Sequence, residues 1–174
     1  MTIQLIAFDI GGVLARVDKS ELLVLCQRAK LPIQEIFDND FLDFQKGIVP
    51  QEQFIDNKSL KLSLPTRQFE HIFKSMMRPT QIGNFIYKIK TPWIFFSTIN
   101  TLHYHHLLRQ INVPYFARHN SILSFQEKQL KPHEQLFRKL SNVLPISPSQ
   151  ILVIDDKPIN IHAALQYGYK AQIF

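Results

Sequence analysis

Asp9, Ser97, Lys131 and the pair Asp155-Asp156 are the residues whose types could act together on a phosphoryl group. A carboxylate such as Asp9 can attack phosphorus to give an acyl phosphate, dividing one difficult substitution into two easier ones. Attacker and target are both anions, so the chemistry calls for a divalent cation held by carboxylate and carbonyl oxygens, with Mg²⁺ the expected cofactor. An ammonium (Lys131) and a hydroxyl (Ser97) would stabilise the remaining phosphoryl oxygens. Gly11-Gly12, two residues past Asp9, would let backbone N–H groups approach a phosphate closely. Each residue also has a plainer reading: Asp9 as a turn cap, Lys131 as a surface lysine before Pro132, Ser97 as the cap of a following helix. Capping and phosphate binding are compatible, because both use a helix N-terminus.

These residues need strands to position them. Residues 3–8 form an apolar, β-branched run broken by Asp9-Ile10-Gly11-Gly12, which predicts a buried strand entering a glycine-rich loop. Residues 92–97 and 150–154 repeat the pattern, and shorter strands are expected at 121–124 and 170–174. Continuous apolar strands separated by helices predict an α/β fold, with a doubly wound parallel sheet covered on both faces. In such a sheet ligands bind at the carboxyl ends of the strands, where Asp9, Ser97 and Asp155-Asp156 stand. Phe137, Leu140, Val143 and Leu144 space as one helical face, with Pro132 in its first turn. Asn160–Tyr167 reads as a helix ended by Gly168. Residues 16–79 show helical spacing and no strong strand. There Asp18 and Glu21 suggest a capping box, and Phe69, Ile72, Phe73 and Met76 form an i, i+3, i+4, i+7 stripe.

Composition bounds the alternatives. The 174 residues suit one compact core with an insertion, and 45% apolar residues can fill it. The single cysteine, Cys26, excludes an internal disulfide framework and is expected as a buried thiol. The net charge of +6 comes from scattered residues, the densest groups being Lys58/Lys61, Lys88/Lys90 and Arg138/Lys139. That pattern points to a solvated surface or a mild attraction for anions, and no nucleic-acid partner is expected. Residues 1–8 have no basic run and no segment reaches the roughly 18 apolar residues of a membrane span, so a cytoplasmic protein without a membrane partner is expected. The His103-Tyr104-His105-His106 cluster puts two imidazoles on one helical face but offers no third ligand, so a partly exposed helix surface is expected there.

Phe8-Asp9-Ile10-Gly11-Gly12-Val13-Leu14 resembles the first motif of the haloacid dehalogenase superfamily, Asp-x-Asp-Gly-Thr/Val-Leu. Ser97 matches the Ser/Thr of the second motif, and Lys131-Pro132 resembles the third, preceded by Ile122-Leu123-Ser124. Ile154-Asp155-Asp156-Lys157-Pro158-Ile159-Asn160, followed by Ala163-Ala164 and Gly168, resembles the fourth. The resemblance implies a Rossmann-like core over 1–15 and 80–174 with a small helical cap over 16–79. Within the cap, Phe44-Gln45-Lys46-Gly47-Ile48 and Phe54 resemble the branch of bacterial sugar-phosphate phosphatases and the phosphatase domain of soluble epoxide hydrolases.

The resemblance also implies roles. Asp9 would be nucleophile and metal ligand; the Gly11 carbonyl and Asp156 would complete the metal site, supported by Asp155 and Asn160. Ser97 and Lys131 would hold the phosphoryl group, with Gly11, Gly12 and Thr98 lining its place. The expected function is Mg²⁺-dependent hydrolysis of a small phosphorylated metabolite through an aspartyl phosphate on Asp9, by a monomer or homodimer. Gly11, however, stands where the superfamily places its general acid/base Asp. A weakly active or silent binding scaffold therefore remains the alternative. Haloacid dehalogenation is a further one, opposed by the acidic pair Asp155-Asp156, which dehalogenating relatives usually lose.

Overall fold

Leu5 and Ala7 of β1 (Leu5–Phe8) pack on one side of a sheet and Phe8 on the other, the two-residue period of a strand buried on both faces. The computed structural model describes residues 2–174. After β1 come β2 (Ala15–Val17), α1 (Ser20–Arg28), α2 (Asn39–Gln45), α3 (Gln51–Lys61), α4 (Thr66–Ser75) and β3 (Met77–Pro79). The chain continues through α5 (Gln81–Phe85), β4 (Trp93–Ser97), α6 (Thr101–Leu108), α7 (Tyr115–Asn120) and β5 (Ile122–Leu123). Then follow α8 (Ser124–Glu127), α9 (Glu134–Leu140), β6 (Ile151–Asp155), α10 (Pro158–Gln166) and β7 (Lys170–Ile173).

Five parallel strands form the main sheet in the order β5-β4-β1-β6-β7. Residues of α6 and α7 pack on the Phe8 face, those of α9 and α10 on the Leu5 face, giving the expected doubly wound α/β architecture. From β1 the chain moves to one side for β4 and β5, then returns across β1 to β6 and β7. That reversal opens a crevice at the carboxyl ends of β1 and β6. Register decides what meets there. Phe8 pairs with Ile154 and with Phe95, so Asp9 and Asp155 emerge side by side and Ser97 emerges next to them.

Between β1 and β4, helices α1–α4 enclose an apolar cluster of their own, closed against Leu102 of α6. Phe69, Ile72, Phe73 and Met76 are all buried, and Phe44 stacks on Phe54 at 4.5 Å. Cys26 is buried. The Lys58 side chain is fully buried, its ammonium 2.6 Å from both oxygens of Asp38, and Lys61 bonds Glu35 and Asp38. Arg138 pairs with Glu134 and Lys139 with Glu127, so two of the three densest basic groups are ion-paired. Among the described residues no helix is long and apolar enough to cross a membrane.

Three local expectations fail. β2 and β3 pair antiparallel at the base of the 16–79 segment, which shows no strong strand in sequence; three residues are too few to show a period. Asp18 does not make a capping box: it accepts from the Ser20 N–H at 3.0 Å and the Ser20 hydroxyl at 2.6 Å, and α1 is capped without a side-chain bond. α9 stops at Leu140, and Pro132 precedes its N-cap His133, so Val143 and Leu144 reach the core from the following loop.

Candidate active site

Asp9 stands one residue past β1, buried, with its carboxylate held from two sides. Oδ1 accepts the Ile10 N–H at 2.8 Å, and the Lys131 ammonium lies 3.1 Å away. Ser97, the last residue of β4, accepts the same Ile10 N–H at 3.4 Å through its hydroxyl. The Lys131 side chain is 1% exposed, so the surface-lysine reading fails: its ammonium donates to Asp155 Oδ2 at 2.5 Å and the Phe96 carbonyl at 2.6 Å, besides facing Asp9. Its backbone N–H donates to Thr98 Oγ1 at 3.0 Å, fixing the loop that carries it. The helix after β4 is capped by Asn100 rather than by Ser97.

The acidic pair divides into two environments. Asp155, fully buried, accepts Asn160 Nδ2 on both oxygens at 2.9 Å and the Lys157 N–H at 2.9 Å. Asp156 has a buried Oδ1 with no hydrogen-bond partner. A Cβ on Gly12, whose φ is +84°, would run into the Asp156 carboxylate, so only glycine fits there. Gly11 differs: its φ is ordinary and open space surrounds the place of a Cβ.

Asp9, Asp155 and Asp156 offer carboxylate oxygens within 4.8 Å of one another. Burial raises the Asp9 carboxyl above the usual carboxylate range; the Lys131 ammonium opposes this, and neighbouring Asp155 reinforces it. One ammonium thus stands among three carboxyl groups. The Asp156 oxygen lacks a partner, and among the described residues the Gly11 carbonyl accepts no hydrogen bond. A hard divalent cation fits this donor set, whereas Asp155, occupied by ammonium and amide donors, suits a supporting place.

A cavity of about 600 Å³ opens above Asp9, Gly11, Gly12, Thr98 and Asp156. Its lining also includes the apolar residues Val17, Phe37, Phe41, Leu42, Met76 and Met77, with Lys19 and Gln45 among them. A second cavity of about 310 Å³ lies at the other end of β4, beside Pro92 and Trp93, away from the carboxylates.

His103 also lines the main cavity and is buried, whereas His105 is exposed and His106 half-buried, so the partly exposed surface expected for the cluster fails at His103 alone. Asn100 Oδ1 takes the His103 backbone N–H at 2.9 Å, which leaves Asn100 Nδ2 to donate to His103 Nδ1 at 3.0 Å. Nε2–H then donates to the Phe73 carbonyl at 2.8 Å, and the ring stacks on Phe73 at 4.7 Å. This clamp joins α4 to α6. The sequence shows Asn100 as a helix-capping type, but nothing in it indicates the link to Phe73.

Burial pushes His103 down to about 4, so the folded protein holds it neutral while the unfolded chain protonates it near 6.5. Its stabilising contribution is complete above pH 6.5 and falls as pH drops from 6.5 towards 4. At pH 5 the loss amounts to about 2 kcal/mol. Urea unfolding at pH 7 and pH 5 should show it, and His103→Gln should remove that part of the pH slope. An unchanged slope in the variant would assign the acid loss elsewhere; His106, also depressed by burial, is the first group to examine.

No protein-family model matches the chain, and comparison with curated proteins returns no match. Solved structures match along almost its whole length. A HAD family enzyme from Bacteroides thetaiotaomicron, in its magnesium complex, is 22% identical with a TM-score of 0.84, covering 100% of this chain and 94% of that one. The same enzyme with magnesium and inorganic phosphate gives 0.82 at 22% identity, covering 98% and 93%. A predicted HAD-like family hydrolase from Porphyromonas gingivalis gives 0.80 at 22%, covering 99% and 91%. An L-2-haloacid dehalogenase from Xanthobacter autotrophicus, with chloropropionic acid covalently bound, is more distant: 0.62 at 13%, covering 98% and 76%. The likeness is one of fold.

Proposed function

We propose that this chain, which has the fold of haloacid dehalogenase-like enzymes, is a Mg²⁺-dependent hydrolase of small phosphate monoesters that works through an aspartyl phosphate on Asp9. The observation that carries the reading is the unpaired, buried Oδ1 of Asp156 beside Asp9, Gly11 and Gly12. An oxygen buried without a partner carries a free-energy penalty that a bound cation would remove. A Mg²⁺ ion held by Asp9, Asp156 and the Gly11 carbonyl would supply the positive charge that lets a carboxylate approach a phosphate.

The chain's own residues account for the rest. The Ile10 N–H, shared with the Ser97 hydroxyl, fixes the Asp9 carboxylate in the cavity lining. Lys131, held by Asp155 and Phe96, places an ammonium where the equatorial phosphoryl oxygens gather charge. Thr98 and the Gly11-Gly12 backbone line the same place. The magnesium and phosphate bound in the Bacteroides structure support this reading. Haloacid dehalogenation, suggested by the more distant neighbour, needs no cation and leaves the free Asp156 oxygen unexplained.

The test is release of nitrophenol from p-nitrophenyl phosphate with Mg²⁺ and with EDTA. Turnover that EDTA abolishes and Mg²⁺ restores is expected. Folded protein that binds Mg²⁺ yet turns over nothing would leave the silent scaffold, for which the glycine at position 11 is the specific motive.

A further inference from the structure

Protonation of the leaving group is the step for which the cavity offers no buried acid free to give a proton; beyond Lys131 its ammonium groups are the exposed Lys19 and Lys157. His103 has both ring nitrogens engaged, by Asn100 and by the Phe73 carbonyl. The Lys131 ammonium has three acceptors for its three hydrogens: Asp9, Asp155 and the Phe96 carbonyl. Thr98 and Gln45 carry protons too weakly acidic to give up. Lys19 and Lys157 are exposed ammonium groups at the rim, Lys19 packed over the Phe37 ring at 4.4 Å. Gly11 faces open space with no side chain at all. The same cavity is lined by the apolar side chains of Phe37, Phe41, Leu42, Val17 and Met76.

A departing alkoxide is a strong base and needs a proton as its bond breaks; a phenolate, whose acid has a pKa of about 10, can leave as the anion. We propose that the substrate is an aryl phosphate, a phosphate monoester of a phenol, whose ring packs on the apolar lining and whose oxygen leaves unprotonated. The proposal rests on the phosphatase reading above. Asp9 forms its bond to phosphorus as the phosphorus–phenol oxygen bond breaks, and the electron pair departs on the phenolate, which takes a proton from bulk water. Water then attacks phosphorus, the pair of the Asp9–phosphorus bond returns to the carboxylate, and the water's proton leaves with phosphate or solvent. The phenol departs in the first half, and the aspartyl phosphate hydrolysed in the second is the same whatever the leaving group. The leaving-group dependence therefore shows in kcat/KM, which reads the first irreversible step.

The experiment measures kcat/KM of the wild-type protein with Mg²⁺ for p-nitrophenyl, phenyl and benzyl phosphate. Phenyl and benzyl phosphate share the ring, but only the first releases a phenolate. Phenyl phosphate is expected to exceed benzyl phosphate by about 10²-fold or more, the typical contribution of a general acid, with p-nitrophenyl phosphate higher still. Benzyl phosphate within tenfold of phenyl phosphate overturns the proposal; loss of that benzyl turnover in Lys19→Met would then name the rim ammonium as the proton source. Turnover of none of the three overturns it together with the phosphatase reading, which separates the two failures.

Discussion

Asparagine at position 9 is expected to abolish turnover of p-nitrophenyl phosphate, by about 10³-fold or more, while leaving the protein as stable as the wild type or more so. The two halves have separate causes in one side chain. Asp9 is buried, and that burial works against its charge, with the Asp155 carboxylate reinforcing the penalty and only Lys131 offsetting it. An amide of the same shape keeps an acceptor for the Ile10 N–H and removes the buried anion, while Lys131 retains Asp155 and the Phe96 carbonyl. It cannot form the acyl phosphate, so the covalent route closes. A gain of about 1 kcal/mol would raise Tm by about 2–4 °C in a chain of this size. Assay and thermal melt on one preparation check both halves. Residual turnover within tenfold of wild type would remove Asp9 as nucleophile. A large fall in Tm would instead show that its charge is needed for folding.

That asymmetry explains which parts of the site a sequence can display. Asp9, Ser97 and Asp155 follow apolar runs that had to be strands buried on both faces, and a parallel sheet brings the carboxyl ends of such strands together. Lys131 was visible as a type at a spacing, although its burial was not. Groups held by partners distant in the chain stayed hidden. His103 reads as part of a partly exposed helix surface until α4 brings the Phe73 carbonyl to it across 30 residues of sequence. Lys58 reads as surface charge until α2 sets Asp38 against it. The β2–β3 ribbon joins two three-residue segments that carry no period of their own. The two glycines after Asp9 looked alike in sequence; the fold separates them. Gly12 is required by a positive φ and by the Asp156 carboxylate pressed against it, and Gly11 is required by neither.

The freedom at Gly11 turns the missing acid into something that can be put back. A Cβ there meets nothing within 4 Å, and the backbone is not in the left-handed region, so Gly11→Asp should fold without displacing the site. Its carboxyl would stand two residues beyond Asp9 on the loop that lines the cavity, where a general acid could serve the leaving group. Esters whose leaving oxygen needs a proton should gain most: kcat/KM for benzyl phosphate is expected to rise by about 10²-fold. For p-nitrophenyl phosphate, whose anion leaves readily, the change should stay within tenfold. The ratio of the two gains is the useful quantity, because weaker metal binding caused by the added negative charge would affect both substrates alike. Equal gains, or none, from a folded variant saturated with Mg²⁺ would show that proton supply does not limit this site, and the cause of its selectivity would then lie in the apolar lining of Phe37 and Phe41.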